Sequence, residues 1–394
     1  MARSAPDSKP CSKCKAEEAS LKLRHAPTCR KCYILYVETK VAKRLGHLHR
    51  DTRTSSLPEP RRYVAGLSFG PSSSAMVCLL DEQTRIQAGR KASSPFEVLA
   101  VHVDTDLDAP REEGARDTPA QRLLARYRGA FPRVEFLCMP LSKVLQVRTV
   151  DWSTLPGLGD AGQPPAERLR SMFARLPSVT AKTDVLRMLI RHLLLHIAME
   201  RSYAALLLGH STTALAALTL AEVANGRGFS VPWQINDGRY TLCTYDSDGA
   251  APTAQTEYPI HYPMREVFGG EISTYISLVP ALTELGLRGQ GGKEEARRDA
   301  VVSHKDTSIE EVMARYFDSV EDSFSGIVAN VVRTTGKLDR VRGDTLCGLC
   351  GVTLDQQGDD RWAGDIGLDP DERDGQGVHR PGKLCYGCKR SVHG

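Results

Sequence analysis

Residues 62–87, RYVAGLSFGPSSSAMVCLLDEQTRIQ, carry the reading that decides the fold. RYVAGLSF is short and apolar like a buried strand, GPSSS is a turn of small residues, and AMVCLLDEQTRIQ has apolar positions at helical spacing. The same alternation continues downstream. FEVLAVHVD (96–104), VEFLCMPL (134–141) and YAALLLGH (203–210) read as strands, with helical stretches TPAQRLLARYRGA (118–130) and KTDVLRMLIRHLLLHIAMERS (182–202) between them. Strands apolar on both faces and separated by helices predict a parallel sheet covered on each side, a doubly wound α/β domain. Ligands of such sheets bind beyond the carboxyl ends of the strands, where GPSSS falls.

Working outward, a further strand is expected over 231–236. Looser extended sequence follows, including YPIHYPMREV (258–267), and then a helix over GGEISTYISLVPALTELG (269–286). The units expected are an N-terminal Cys-rich unit, 1–33, a basic helix and linker, 34–60, and the α/β domain, 61–286. A linker and helical extension, 287–340, opened by the capping Ser308, leads to a C-terminal Cys-rich unit, 341–394. The acidic insertion within the last unit, 355–382, has the composition of a disordered segment. No apolar run reaches the ~18 residues of a membrane span. MARSAPDSKPCSKC lacks the apolar region of a secretory signal. A soluble, cytoplasmic protein with no membrane partner is expected. The net charge of +4 on 394 residues selects no partner by itself.

Eight of the eleven cysteines form four Cys-x-x-Cys pairs: Cys11/Cys14, Cys29/Cys32, Cys347/Cys350 and Cys385/Cys388. Two thiolates on one tight turn reach the same ion, and four complete the tetrahedron that Zn²⁺ prefers. The first two pairs are separated by 14 residues, close to a zinc ribbon; the last two are separated by 34. Two structural four-cysteine zinc sites are expected, one at each end, stapling segments too small to fold by apolar burial. His25 is an alternative ligand, and redox pairs or pairing across the termini are alternatives for the second set. Cys78, Cys138 and Cys243 stand alone in apolar sequence and are expected to pack as small hydrophobes.

A phosphate-binding turn needs glycines for close backbone approach, free N–H groups at a helix start and small hydroxyls. Ser68, Gly70, Ser72 and Ser73 could supply a nucleotide site, but no Lys-Ser/Thr follows as in a Walker loop. A Ser-rich turn that caps a helix is the plainer reading. On the helix after the first Cys unit, Lys40, Lys43, Arg44, His47 and Arg50 fall on one side, with Arg53, Arg61 and Arg62 nearby. Such a face can follow an RNA backbone, and a solvated helix face looks much the same.

LSFGPSSSAM resembles the Ser-Gly-Gly-x-Asp-Ser loop of the ATP pyrophosphatases, and LLLGHSTTALAALTL resembles their Gly-His-Asn-Ala-Asp-Asp segment. With GHSTTALAALTLAEVANGRGFSVPW and the terminal CGLCG and CYGC, the chain is similar over nearly its whole length to the cytoplasmic tRNA 2-thiolation protein 2 family. The resemblance implies an adenine nucleotide alpha hydrolase-like fold of the PP-loop type. It also implies a partner subunit in a heterodimeric thiolase of the same fold, acting on the wobble uridine of tRNA Lys, Glu and Gln. Sulfur would come from a thiocarboxylated ubiquitin-related modifier, and Lys40, Lys43, Arg44 and Arg50 would contact tRNA.

The departures are informative. Against the active members' motifs, Phe69 replaces a loop glycine, Ser72 the loop acid, Thr213 and Ala214 the later acids, and Thr180 and Thr183 the paired cysteines. No Cys lies between Cys243 and Cys347, where a third active-site thiol is expected. The loop therefore reads as a remnant: no catalytic residue, doubtful ATP binding, no iron–sulfur cluster. An enzyme active by itself through an altered loop, and a zinc-stapled RNA-binding adaptor, are the alternatives.

Overall fold

Alternation along β3 (Arg61–Gly66) sends Tyr63 and Ala65 to one face and Val64 to the other, and both faces are buried. β4 (Phe96–Asp104) and β6 (Ala205–Leu208) behave alike, while the edge strand β5 (Glu135–Pro140) is half-buried with Glu135 exposed. The computed structural model describes residues 9–53, 60–89, 96–108, 117–158, 162–245, 252–287, 307–340, 343, 345–354 and 384–394. The linker over 288–306 and the acidic insertion over 355–382 lie outside these.

The central sheet has six strands in the order β5-β4-β3-β6-β8-β7, with β7 at Gly238–Tyr245 and β8 at Pro252–His261. Neighbours from β5 through β8 are parallel; β7 runs antiparallel to β8. Helices α5 (Val179–Glu200) and α6 (Thr212–Ala224) cover the face presenting Val64, Leu99, Val101 and Leu206. The face with Tyr63, Ala65, Val98 and Leu207 is covered by α1 (Arg30–Asp51), α2 (Pro71–Gly89), α3 (Pro119–Ala130) and α8 (Gly269–Leu278). This is the doubly wound α/β fold expected. The chain leaves β3 toward β5 and returns to β6 on the other side, so the topological switch lies between β3 and β6. There Gly209 is needed for space: a Cβ would stand 2.8 Å from Ser73 Cα at the start of α2.

Three expectations are corrected. Residues 231–236 form no strand; Val231–Ile235 is the one-turn helix α7, with Pro232 in its first turn, where the missing N–H costs nothing. The β7–β8 hairpin replaces the loosened sequence expected after 236; its strand character is masked by Pro252 and Pro259. The sheet is consequently mixed at one edge. The helix expected over 269–286 is divided by Pro280 into α8 and α9 (Pro280–Glu284).

Small elements complete the ends. β1 (Leu21–Leu23) and β2 (Ala26–Thr28) form a hairpin inside the first Cys unit, and α4 (Pro165–Arg175) precedes α5. Ser308 caps α10 (Ile309–Thr335) as its sequence predicts, accepting from Glu311 N at 3.2 Å. Helix α10 lies on α6, burying Phe317, Val328 and Val332, and is broken at Phe324, whose φ of −136° and ψ of 48° are not helical. The last helix is α11 (Tyr386–His393).

Candidate functional site

The turn after β3 and the start of α6 meet at the crevice, where Gly209 lies against Ser73, whereas Thr180 sits by the start of α10, beside the far end of α6. After β3 the chain turns through Phe69 at φ +59°, a left-handed conformation that favours glycine. The Phe69 ring stacks on His102 with centroids 4.0 Å apart and meets Tyr127 at 5.2 Å. Apolar and aromatic contact holds the strained turn where a backbone would otherwise approach an anion. The hydroxyls close on the loop itself. Ser73 Oγ accepts from Ser68 N at 3.2 Å and lies 3.1 Å from Ser68 Oγ, while Gly70 N donates to Ser68 Oγ at 3.3 Å. Ser73 and Ser74 hydroxyls both donate to Gly70 O, at 3.1 and 2.8 Å. Ser72 is half-buried at the helix start. His102 Nδ1 donates to Leu67 O at 2.9 Å, and burial holds its imidazole below its ordinary range, hence neutral.

The segment after β6 behaves likewise. Ser211 caps α6 by accepting from Ala214 N at 3.1 Å, and Thr212 Oγ1 donates to Arg265 O at 2.8 Å. Thr213 donates to Glu321 of α10, and Gly269 N and Gly270 N donate to the same carboxylate at 3.1 and 2.8 Å. The exposed end of α8, an anion-attracting helix start, is thus filled by a side chain of the protein itself. Burial raises the Glu321 carboxyl above its ordinary value despite these donors. Thr180 Oγ1 accepts from Ile309 N at 3.2 Å and so fastens α10 to α5; Thr183 is half-buried one turn on. His210 is drawn down to about 3 by burial, with Arg191 and Arg187 adding to the effect, and its Nδ1 has no hydrogen-bond partner among the described residues.

Carboxylates do lie nearby, in a closed network. Arg227 donates from Nε to Glu222 at 2.9 Å and from Nη2 to Asp184 at 2.5 Å, and Arg187 bonds both acids. Ser230 and Ser391 supply further donors, at 3.0 and 2.7 Å. Asp184, Glu222 and Arg227 are fully buried, so this is internal structure and not a substrate surface. No sequence periodicity pointed to it, because its members come from α5, α6, the following turn and α11.

Cys347, Cys350, Cys385 and Cys388 converge with all four sulfurs within 4.8 Å, and all four residues are buried. Burial opposes ionisation of Cys347, yet bonds from the other three draw it well below the ordinary thiol value; the thiolate beside them pushes Cys385 and Cys388 well above it. Four close sulfurs that resist joint ionisation suit a divalent cation. The turn is locked to the α/β body: Asp151 N donates to Gly348 O at 2.8 Å and His192 Nε2 to Leu349 O at 2.8 Å. Leu349, Val352 and Leu384 join the core on that side of the sheet.

Cys11, Cys14, Cys29 and Cys32 form the second group, again within 4.8 Å, with Cys14 exposed; His25 lies outside the group. Backbone donors, that of Cys14 first, draw Cys11 to about 6, and burial with its thiol neighbours lifts Cys32 to about 12. The cysteines therefore group within each terminus and not across the termini. Of the isolated cysteines, Cys78 and Cys243 are buried and Cys138 is half-buried.

The basic helix face divides. Arg44 pairs with Asp237 and, at 3.6 Å, with Glu266; Lys40 donates to Glu266 O at 2.6 Å and lies over the Tyr36 ring. Lys43 and Arg50 are exposed, Arg50 lying 2.8 Å from His47. The sequence reading passed over Lys13, Lys22 and Arg30, which are exposed on the adjoining Cys unit. Their spacing is irregular, which hides them from a helical pattern, but their density within 9–32 was visible.

The structure defines a doubly wound α/β protein bounded by two four-cysteine groups able to hold metal, whose loop hydroxyls bond within the chain. A family model for "Cytoplasmic tRNA 2-thiolation protein 2" matches residues 308–374. The protein of that name from Phaeosphaeria nodorum is 35% identical over 97% of this chain and 94% of its own, and that from Sclerotinia sclerotiorum 33% over 82% and 80%. The chain belongs to the cytoplasmic tRNA 2-thiolation protein 2 family. Among solved structures it is similar to the U34-tRNA thiolase NcsA of Methanococcus maripaludis, which carries a 4Fe-4S cluster. That likeness has a TM-score of 0.49 at 14% identity, over 91% of this chain and 97% of the other. No helix among the described residues is long and apolar enough to cross a membrane.

Proposed function

We propose that the chain is the non-catalytic subunit of a heterodimeric tRNA thiolase. Its role is to support 2-thiolation of the wobble uridine in tRNA Lys, Glu and Gln by a catalytic partner of the same fold, with sulfur from a thiocarboxylated ubiquitin-related modifier. One observation carries the reading: Phe69, Thr213 and Thr180 each make internal contacts at the positions where the chemistry would need a glycine, a carboxylate and a thiol. A hydroxyl bonded to backbone neither holds a cluster nor carries a persulfide. On this reading both four-cysteine groups hold structural zinc and no iron–sulfur cluster, and Ser68, Gly70, Ser72 and Ser73 shape the loop without holding nucleotide. Lys43 and Arg50, with Lys13, Lys22 and Arg30, supply tRNA phosphate contacts.

The test is 2-thiouridine in wobble nucleosides, measured by mass spectrometry in a deletion strain, alongside ATP turnover by the purified chain. Loss of the modification, no turnover by the chain alone, and thiolation restored on mixing with a cysteine-bearing thiolase are expected. Unchanged 2-thiouridine, or thiolation by this chain alone, refutes the proposal.

A further inference from the structure

The amphipathic pattern of α10 is wider than the helix's own packing requires. Phe317, Val328 and Val332 face α6, yet beside that stripe Val312, Tyr316, Val320, Phe324, Ile327 and Val331 recur at steps of four and three residues. On either side of the break at Phe324 such a series makes a second apolar shoulder. Val320 and Val331 are half-buried, but Val312, Tyr316, Phe324 and Ile327 are 42, 50, 60 and 50% exposed. Among the described residues, no element covers this shoulder.

We infer that this shoulder of α10 docks a second protein chain which presents an apolar face and, on the reading proposed above, carries the thiols this chain lacks. The half-exposed Tyr316 and Phe324 rings alone leave roughly 100 Å² open apiece. With the aliphatic side chains the patch reaches the ~300–600 Å² at which a monomer's surface is commonly functional, and much of the ~800 Å² one partner contributes to a stable complex. An exposed Tyr within it suits a binding hot spot. The charges beside it, Glu311, Arg315, Asp322 and Arg333, are mixed in sign, unlike the basic flank of a helix that lies on anionic lipid or nucleic acid. The family model begins at residue 308, the cap of this helix, so α10 falls within the segment by which the family is recognised.

The test is the double variant Tyr316→Asp/Ile327→Asp in the full chain, co-expressed with the catalytic thiolase subunit and recovered by affinity purification. At least a tenfold loss of co-purified subunit is expected, with metal content and melting temperature of the isolated chain unchanged. Leu35→Asp, equally exposed but on α1, should leave the complex intact. Full association by the double variant overturns the docking surface and leaves the non-catalytic role standing, whereas thiolation by the wild-type chain alone overturns that role instead. A melting temperature lowered by several degrees would place the shoulder under the chain's own segments. Loss of a homodimer in the variant would assign the shoulder to a second copy. Either result also overturns the inference.

Discussion

Replacing Arg227 with methionine keeps most of the side-chain volume and removes one of two cations from a buried group of four charges. The wild-type network sets Arg187 and Arg227 against Asp184 and Glu222; in the variant Arg187 alone faces both acids. Both carboxylates have fully buried side chains, so water cannot take over the lost contacts. Removing one partner of a buried ion pair costs about 3–5 kcal/mol. With a urea dependence of about 3 kcal/mol per molar, the unfolding midpoint falls by roughly 1–2 M. The effect also has a pH signature. Burial alone would raise the Glu222 carboxyl, but Arg227 first and Arg187 second hold it at about 2, below its ordinary 4.5. A depressed carboxyl contributes stability that is present above the unfolded value and is lost as pH falls from about 4.5 through about 2. Without Arg227 burial prevails, Glu222 takes up a proton at higher pH, and the repulsion between the acids is relieved. The deficit of the variant should therefore be greatest at neutral pH and shrink toward pH 4, and adding Glu222→Gln should recover part of it at pH 7. Urea titrations at pH 7, 5.5 and 4 read all three. A deficit below about 1 kcal/mol, or one that stays constant with pH, would refute this account of the network.

Three further outcomes are expected. Chelator titration followed by metal analysis should empty the N-terminal group first, since Cys14 is exposed there while all four C-terminal ligands are buried; Cys11→Ser should lower the metal content by one ion per chain. Gly387→Ala should destabilise the chain by about 1–3 kcal/mol in urea unfolding, because its Cβ would collide with Asn225 O and the Arg227 stem and push α11 with Cys388 off the body. Phe69→Gly relieves the left-handed strain, worth about 1–2 kcal/mol, but forfeits the contacts with His102 and Tyr127. It should leave stability within about 1 kcal/mol of the parent and confer no ATP hydrolysis in a phosphate-release assay, as the missing carboxylates and thiols are not restored.

The parallel part of the sheet was legible because its strands are short and largely apolar, the inner ones buried on both faces, and because helices of clear period separate them. The β7–β8 hairpin was not, since an edge strand tolerates polar residues, and prolines at 252 and 259 disguise β8. Cys-x-x-Cys spacing announced both metal-binding groups, but only the structure decides that the cysteines group within each terminus and that the C-terminal turn belongs to the main core. Lys40 and Arg44 show the limit of a charge pattern: both fall on the basic face, and both meet Glu266, more than 200 residues away in sequence.

The same long-range closure governs the crevice. Against the motifs they resemble, Phe69, Thr180 and Thr213 read in the sequence as departures that leave the loop a remnant. In the structure Thr213 and Thr180 both bind α10, at Glu321 and at Ile309 N, near opposite ends of α6. A carboxylate at Thr213 would face Glu321 as a like charge, whereas a thiolate at Thr180 would still accept from Ile309 N, as Cys347 Sγ accepts from Cys385 N at 3.3 Å. Short hydroxyls at Thr180 and Thr213 fasten α10 from within, and its outer shoulder stays exposed.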